Sequence, residues 1–312
     1  LTLFEFLTVI FFYEAQNIEV DKNLLEIGLG GSLDAVNVAQ ADLSVINLIH
    51  FDHKEWLGSK ISQIAEAKAG IIREKKPVVI GRQEFPEALE VIKNKAREMD
   101  APTYFFQEDW NIEEKNNNIV IYESNKNKLE FEFLNPARFQ IFNFGMALKA
   151  AELTNKINIK QFIEAKVYDQ VSLPGRLQKL DVNAFKGVNQ ETEIWIDGGH
   201  QVCNSKVVNE SLSRLTVKKL FLIVGFMNTK EYVKIVENFN VDAIRTLSIP
   251  GEQNSVPAEK LKDELKHICS DVQSSTNFIE ALTELSQKDS NARILVTGSL
   301  YLMGSILSNL KK

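Results

Sequence analysis

Three stretches of this chain bring together residue types that can do chemistry. "LLEIGLGGSLDAVNV" (Leu24–Val38) sets Glu26 beside a glycine cluster, "HFDHKEWLGSKISQIAEAKAGII" (His50–Ile72) carries His53 and Lys68, and "WIDGGHQ" (Trp195–Gln201) carries Asp197 and His200. Glu26 falls near the end of an apolar run that reads as a buried strand. A carboxylate there needs a partner, and a cation is one candidate. The glycines complete neither common phosphate-loop pattern. A dinucleotide fingerprint needs glycine three residues after Gly30, where Leu33 stands, and the Gly-Lys-Ser/Thr triplet of a P-loop occurs nowhere in the chain. Taken alone, the cluster reads more readily as a tight strand-to-helix turn than as a ligand loop.

His53 follows a second apolar strand at the C-terminal edge, where open α/β sheets collect ligands. In the helix after it, Ile61, Ile64, Ala65 and Lys68 share one stripe at i, i+3, i+4 and i+7, so Lys68 sits on the apolar face. Desolvation there favours the neutral amine, which can capture carbon dioxide as a carbamate and become an anionic oxygen ligand. A lysine snorkelling from the helix end is the plainer alternative. Together Glu26, His53 and Lys68 could supply the oxygen and imidazole ligands that suit Mg²⁺ or Mn²⁺. Asp197 ends another apolar strand, and the glycines after it let a ligand approach the backbone; a capping aspartate beside a surface histidine is the competing reading. Gln140 and Asn143 stand at the start of a helix, able to cap it or to read a nucleobase. Arg176, in "LPGR", stands at a Pro-Gly hinge, from which it could meet a ligand or simply face solvent.

The elements that must position these groups alternate. "DLSVINLI" (Asp42–Ile49), "PVVIG" (Pro77–Gly81), "IWIDGG" (Ile194–Gly199), "KLFLIVGF" (Lys219–Phe226) and "ARILVTGS" (Ala292–Ser299) are nearly continuous apolar runs, as expected of parallel strands buried on both faces. Helical periodicity falls at Glu84–Met99, Phe142–Thr154, Ser205–Leu215 and Pro257–Ile268. This order predicts α/β layers. Asn111–Pro136 differs, alternating apolar and polar residues around Asn- and Lys-rich turns, and reads as a small antiparallel meander. A second α/β run begins after "SLPGRLQKL", which puts the domain boundary between residues 172 and 173, giving domains 1–172 and 173–312. The N-terminal "LTLFEFLTVIFFYEAQ" is broken by Glu5 and flanked by Glu14; it is too short to span a bilayer, has no basic leader, and predicts a buried helix.

Composition narrows the function classes. The 312 residues are 44% apolar and 25% charged, in the range of globular proteins. A net charge of −6 supplies no basic field for a phosphate polymer, which argues against nucleic acid as a partner. The two cysteines, Cys203 and Cys269, form no CxxC, and a reducing cytoplasm suits them.

Taken in order, "LTLFEFLT", "LEIGLGGSLDAVNV", "FDHKEWLGSKISQIAEAKAGII", "LPGRLQ", "DGGHQ" and "VTGSLYLMGSIL" resemble the folylpolyglutamate synthase/dihydrofolate synthase branch of the Mur ligase family. The resemblance implies a P-loop NTPase-like central domain with a small antiparallel insertion, followed by a Rossmann-like α/β domain. It implies an ATP-dependent ligase that activates a carboxylate as an acyl phosphate and joins it to L-glutamate, the acceptor being tetrahydrofolate or dihydropteroate. By match, Glu26 and His53 become Mg²⁺ ligands, His53 and Lys68 catalytic residues, Lys68 carrying the carbamate, and Gln140, Asn143, Arg176, Asp197 and His200 contacts to ATP across an inter-domain cleft. The chain departs from the family pattern at Ser32, where arginine is usual, at Gln201, where asparagine is usual, and at Thr229, where an acidic residue precedes Lys230. The family's phosphate loop is expected upstream of "LTLFEF". Its absence from these residues predicts weak or no activity for the chain alone, with a separate P-loop fragment as a partner, or else a non-catalytic remnant with residual nucleotide binding.

Overall fold

The computed structural model describes residues 1–116, 118–134, 137–154, 156–170, 173–228 and 231–310. Pro136 at the end of the expected meander, Ser172 at the expected domain boundary, and Thr229 with Lys230 lie outside these. Two compact units emerge: Leu1–Phe133 with Gln140–Tyr168, and Leu134–Phe139 with Asp169–Lys312.

The first unit opens with α1 (Leu3–Ala15), nucleated by a capping box in which Thr2 Oγ1 accepts the Glu5 N–H and the Glu5 carboxylate accepts the Thr2 N–H. The helix forms where expected but is not buried. Leu3, Phe6, Leu7 and Val9 are exposed, and among its residues Thr8 alone is buried. Apolar side chains surround the helix on every side, so seating one face leaves the others in water. The seated side runs through Phe4, whose ring lies so close over Gly28 that a Cβ there would come within 2.6 Å of it.

A second expectation also fails. Residues 24–27 form no strand, Leu24 is 95% exposed, and Glu26 is exposed rather than buried. An apolar run becomes a strand only where a neighbour offers a ladder, and none of the described strands pairs with it.

Then follow β1 (Ser44–Ile46), α2 (Lys54–Leu57), α3 (Ile61–Ala69), β2 (Val78–Ile80), α4 (Pro86–Glu98) and β3 (Thr103–Phe105). The strands form a parallel sheet in the order β1-β2-β3, with Ser44 opposite Val78 and Val78 opposite Thr103. β2 is buried on both faces, whereas Val45 of β1 is partly exposed, so the edge strand alternates rather than being buried throughout. Proline at the first turn starts α4, and Ala88, Ile92 and Ala96 at i, i+4 and i+8 turn one face to the sheet. With Ile61, Ile64 and Ala65 of α3 they complete one core face.

The other face is built by β4 (Trp110–Asn116), β5 (Ile119–Ser124) and β6 (Lys128–Glu132), an antiparallel meander, and by α5 (Arg138–Thr154) and α6 (Ile159–Glu164). Gly145 of α5 faces Ile112 of β4, with no room for a Cβ, which would sit 2.5 Å from the isoleucine methyl.

The second unit holds β7 (Gln178–Leu180), β8 (Glu193–Asp197), α7 (Val202–Ser213), β9 (Leu220–Val224), α8 (Tyr232–Val236), β10 (Ala243–Thr246), α9 (Ala258–Leu265), β11 (Val272–Ser274), α10 (Phe278–Lys288), β12 (Arg293–Thr297) and α11 (Leu300–Leu310). The sheet runs β11-β10-β9-β12-β8-β7, parallel except for β7, which pairs antiparallel with β8. One face is covered by α7, α8 and α9 through Val208, Leu212, Ile235, Leu261 and Leu265. The opposite face is covered by α10 and α11 through Ala281, Leu285, Leu302 and Ile306. Helices on both faces explain why β8, β9 and β12 read as continuous apolar runs.

Candidate functional site

In the first unit the glycine cluster is a packing joint against the last turn of α3. A Cβ on Gly31 would lie 2.5 Å from the Ala67 carbonyl oxygen and 3.2 Å from Lys68 Cα, and one on Gly70 would lie 2.4 Å from Ser32 Cβ. Ser32 N–H donates to the Ala67 carbonyl at 2.8 Å. Asp34, at the other end of the loop, accepts Leu29 N–H at 2.8 Å and Val36 N–H at 2.9 Å, so its carboxylate closes the turn. Arg73 finishes the joint by donating to the carbonyls of Asn37 and Ala39 and to Asn37 Oδ1 at 2.6 Å. Lys68 therefore stands, half-buried, on a backbone held by close contacts on two sides.

His53 lies beyond β1, in left-handed backbone at the start of α2, with its ring partly exposed. Its Nε2 is 3.4 Å from Asp52 Oδ2 and its Nδ1 is 4.0 Å from Glu55 Oε1. Two neighbouring carboxylates can orient the ring as a ligand. No three His, Cys, Asp or Glu side chains among the described residues converge as a prebuilt metal cage. Glu26 and His53 still offer a carboxylate and an imidazole. A Mg²⁺ ion that shares phosphate oxygens and water needs only one or two protein ligands, so the donor chemistry fits without a cage.

At the C-terminal edge of β1 and β2 a run of side-chain amides comes together. Asn47 follows the last residue of β1, and its Nδ2 donates to Asn143 Oδ1 of α5 at 3.0 Å; Asn143 Nδ2 faces Gln140 Oε1 at 3.5 Å. Gln140 is 7% exposed. Gln83, just past β2, donates to the carbonyls of Asn47 and Gly81 and accepts Ile49 N–H at 3.1 Å. The structure thus brings Gln140 and Asn143 to the sheet edge bonded to each other and to β1. Asn47 and Gln83 escaped the sequence reading. Their signal was position, each lying within three residues of a strand's carboxyl end.

In the second unit Asp197 ends β8, 3% exposed. Its Oδ2 accepts Leu177 N–H at 2.8 Å and its Oδ1 accepts Gly199 N–H at 2.7 Å. Burial pushes its pKa above the ordinary carboxylate range, against the two N–H donors and the Arg176 charge, which pull it down. Gly198 N–H donates to the Gly175 carbonyl at 2.8 Å, a second tie between the two turns. Arg176, exposed between Gly175 and Leu177, and His200, half-buried beyond Gly199, are thereby held on adjoining loops at one sheet edge. β12 sits between β8 and β9 yet is followed by a helix on the opposite face, which makes this edge a topological switch point. Gly298, at φ +116, turns the chain off β12 there, and a Cβ on it would lie 2.6 Å from the Gly225 carbonyl.

No protein-family model matches the chain. Among curated proteins, the dihydrofolate synthase/folylpolyglutamate synthase of Bacillus subtilis is 30% identical over 334 aligned positions, covering 99% of this chain and 72% of that protein. Among solved structures, Mycobacterium tuberculosis folylpolyglutamate synthase complexed with ADP and AMPPCP superposes with a TM-score of 0.85 at 21% identity, over 100% of this chain and 73% of that one. Escherichia coli FolC in complex with DHPP and ADP superposes at 0.84 with 23% identity, over 100% and 71%. The structures share the α/β architecture across this chain, and a 30% match covering 99% of it and 72% of the relative shows that the chain belongs to the dihydrofolate synthase/folylpolyglutamate synthase family of ligases.

Proposed function

We propose that this chain serves the ATP-dependent joining of L-glutamate to a reduced folate or to dihydropteroate. The acceptor carboxylate attacks the γ-phosphorus of ATP, ADP leaves, and an acyl phosphate forms. The glutamate amine then attacks the acyl carbon, phosphate leaves, and the amine proton is lost as the amide forms. Gln140, Asn143, Arg176, Asp197 and His200 are the residues assigned to the nucleotide. Asp197 acts chiefly by holding the Arg176 turn; Arg176 meets phosphate or ribose oxygens. Glu26 and His53 would hold Mg²⁺, which when bound neutralises charge on the phosphoryl oxygens. Lys68, as a carbamate formed from its amine and carbon dioxide with loss of a proton, orients the same region. The rigid joint of Gly31 and Gly70 against α3 supports that role, because a ligand residue is useful only when its backbone is fixed.

The observation that carries the reading is the doubly bonded, buried Asp197 carboxylate at the switch-point edge, in a chain matched over 99% of its length by a bifunctional ligase. A second reading has one observation in its favour, since no Gly-Lys-Ser/Thr triplet occurs in the 312 residues. On that reading these residues bind nucleotide but ligate only together with a phosphate loop from outside them. Both are tested by incubating the purified chain with MgATP, L-glutamate and tetrahydrofolate or dihydropteroate, with and without a P-loop fragment. ADP release and amide formation by the chain alone support the first. Turnover only with the fragment supports the second. ADP binding with no turnover in either mixture points to a remnant.

A further inference from the structure

We infer that Asn47 fixes the hydrogen-bonding direction of Asn143 and Gln140, so that this pair offers donors and accepts only a ligand atom carrying a free lone pair, such as a ring nitrogen of a nucleobase. The inference rests on the proposal that Gln140 and Asn143 contact the nucleotide.

The direction follows from backbone groups whose polarity cannot reverse. Leu48 N–H donates to Asn47 Oδ1 at 2.7 Å. An N–H can only donate, so the oxygen of the Asn47 amide must face it and Nδ2 must face away. That Nδ2 donates to Asn143 at 3.0 Å, which requires the Asn143 oxygen on the near side. Asn143 Nδ2 is then turned onward toward Gln140 Oε1 at 3.5 Å, with one hydrogen to spare, and the Gln140 amide is left with Nε2 as its outward group. Gln83 keeps the first link in place. It donates to the Asn47 and Gly81 carbonyls at 3.0 and 3.2 Å and accepts Ile49 N–H at 3.1 Å, fastening the segment after β1 to the end of β2. Gln140 is nearly buried, so it has little freedom to turn over independently. A choice of orientation that asparagine and glutamine ordinarily leave open is decided by a single peptide N–H.

The inference singles out Asn47→Asp. Aspartate keeps the bond from Leu48 N–H but presents a second oxygen, so Asn143 must turn its Nδ2 inward and show its oxygen to the ligand, with Gln140 following. Asn47 is exposed, so the new charge stays hydrated and the fold is retained. In ¹⁵N-asparagine-labelled wild-type chain, nuclear Overhauser contacts should put the Asn143 amide protons beside Gln140, and in Asn47→Asp beside residue 47. Calorimetric titration should show ADP binding to Asn47→Asp weakened about tenfold, the usual cost of opposing two acceptors. One of 1-deaza-, 3-deaza- or 7-deaza-ADP should bind the wild type about tenfold more weakly than ADP, with that difference lost in the variant. Asn143 amide protons found beside residue 47 in the wild type overturn the inference whether or not ADP binds. So does equal binding of ADP and all three deaza analogues to the wild type. If the wild type shows the stated orientation but takes no ADP, the relay stands and the nucleotide reading beneath it falls.

Discussion

Asp197 Oδ2 accepts the N–H of Leu177, a residue held at φ +42 in left-handed backbone with its side chain buried. A leucine in that conformation costs on the order of 1 kcal/mol, and the hydrogen bond from β8 offsets it. Asp197→Ala should destabilise the second unit by about 2–4 kcal/mol, through two orphaned N–H groups and a released turn. Urea unfolding followed by circular dichroism would measure it, and a change below half a kcal/mol would remove Asp197 as the clasp.

Acidity offers a separate check on the same carboxylate. Its pKa is raised in the folded chain by burial. The fold therefore binds that proton more tightly than the unfolded chain does, and the resulting stability is complete below the unfolded aspartate value of about 3.9. It is lost as pH rises through the folded value. The stability of wild type relative to Asp197→Asn should accordingly fall as pH rises from the unfolded aspartate value through the raised folded one. A relative stability that rises over that interval would show that the two N–H donors outweigh burial.

Lys149 of α5 is paired with Glu152 at 3.3 Å, both fully buried, with Ser124 and Asn127 donating to the same carboxylate at 2.8 and 2.6 Å. Lys149→Met leaves the Glu152 carboxyl buried without its cation, and should cost about 3–5 kcal/mol. Replacing both with Met and Leu should recover a large part of that loss. Thermal unfolding of the three proteins checks the pattern, and an equal loss in single and double variants would refute it.

Gly31→Ala should be poorly tolerated for a packing reason. The added methyl meets the Ala67 carbonyl at 2.5 Å, and that carbonyl already accepts Ser32 N–H. A loss of roughly 1–3 kcal/mol is expected, with faster amide exchange in the last turn of α3. Unchanged exchange at residues 67–70 would show that the loop moves aside freely.

For Lys68, ¹³C-bicarbonate should give a carbamate resonance in wild type that is absent from Lys68→Arg. The same substitution should lower ligation about a hundredfold if the group orients charge at the phosphoryl oxygens. A missing resonance with normal turnover would leave Lys68 as an ordinary amine.

Much of the architecture was legible because β8, β9, β12 and the helices around them are decided by local pattern. Five apolar residues between turn signals have one stable use in a sheet covered on both faces. Asp197 was readable for the same reason, as the first polar residue after such a run. Glu26 was not. "LLEIG" carries the same pattern, but a strand is a relationship between two segments, and pattern alone does not supply the second. α1 was misjudged similarly, since apolar content foretells a need for burial and says nothing of what provides it. Asn47 and Gln83 escaped notice because their importance is directional, set by contacts between residues up to 96 positions apart.

The place of β12 bears on how this protein is made. Among the described strands it comes last in sequence, and it lies between β8 and β9, so its two ladders join strands that are not otherwise neighbours. On the ribosome the sheet of the second unit must remain in two parts, β9 to β11 and β8 with β7, until residue 297 has emerged. A chain cut just after β12 keeps both ladders, whereas one cut just before β12 leaves the edges of β8 and β9 bare and open to aggregation.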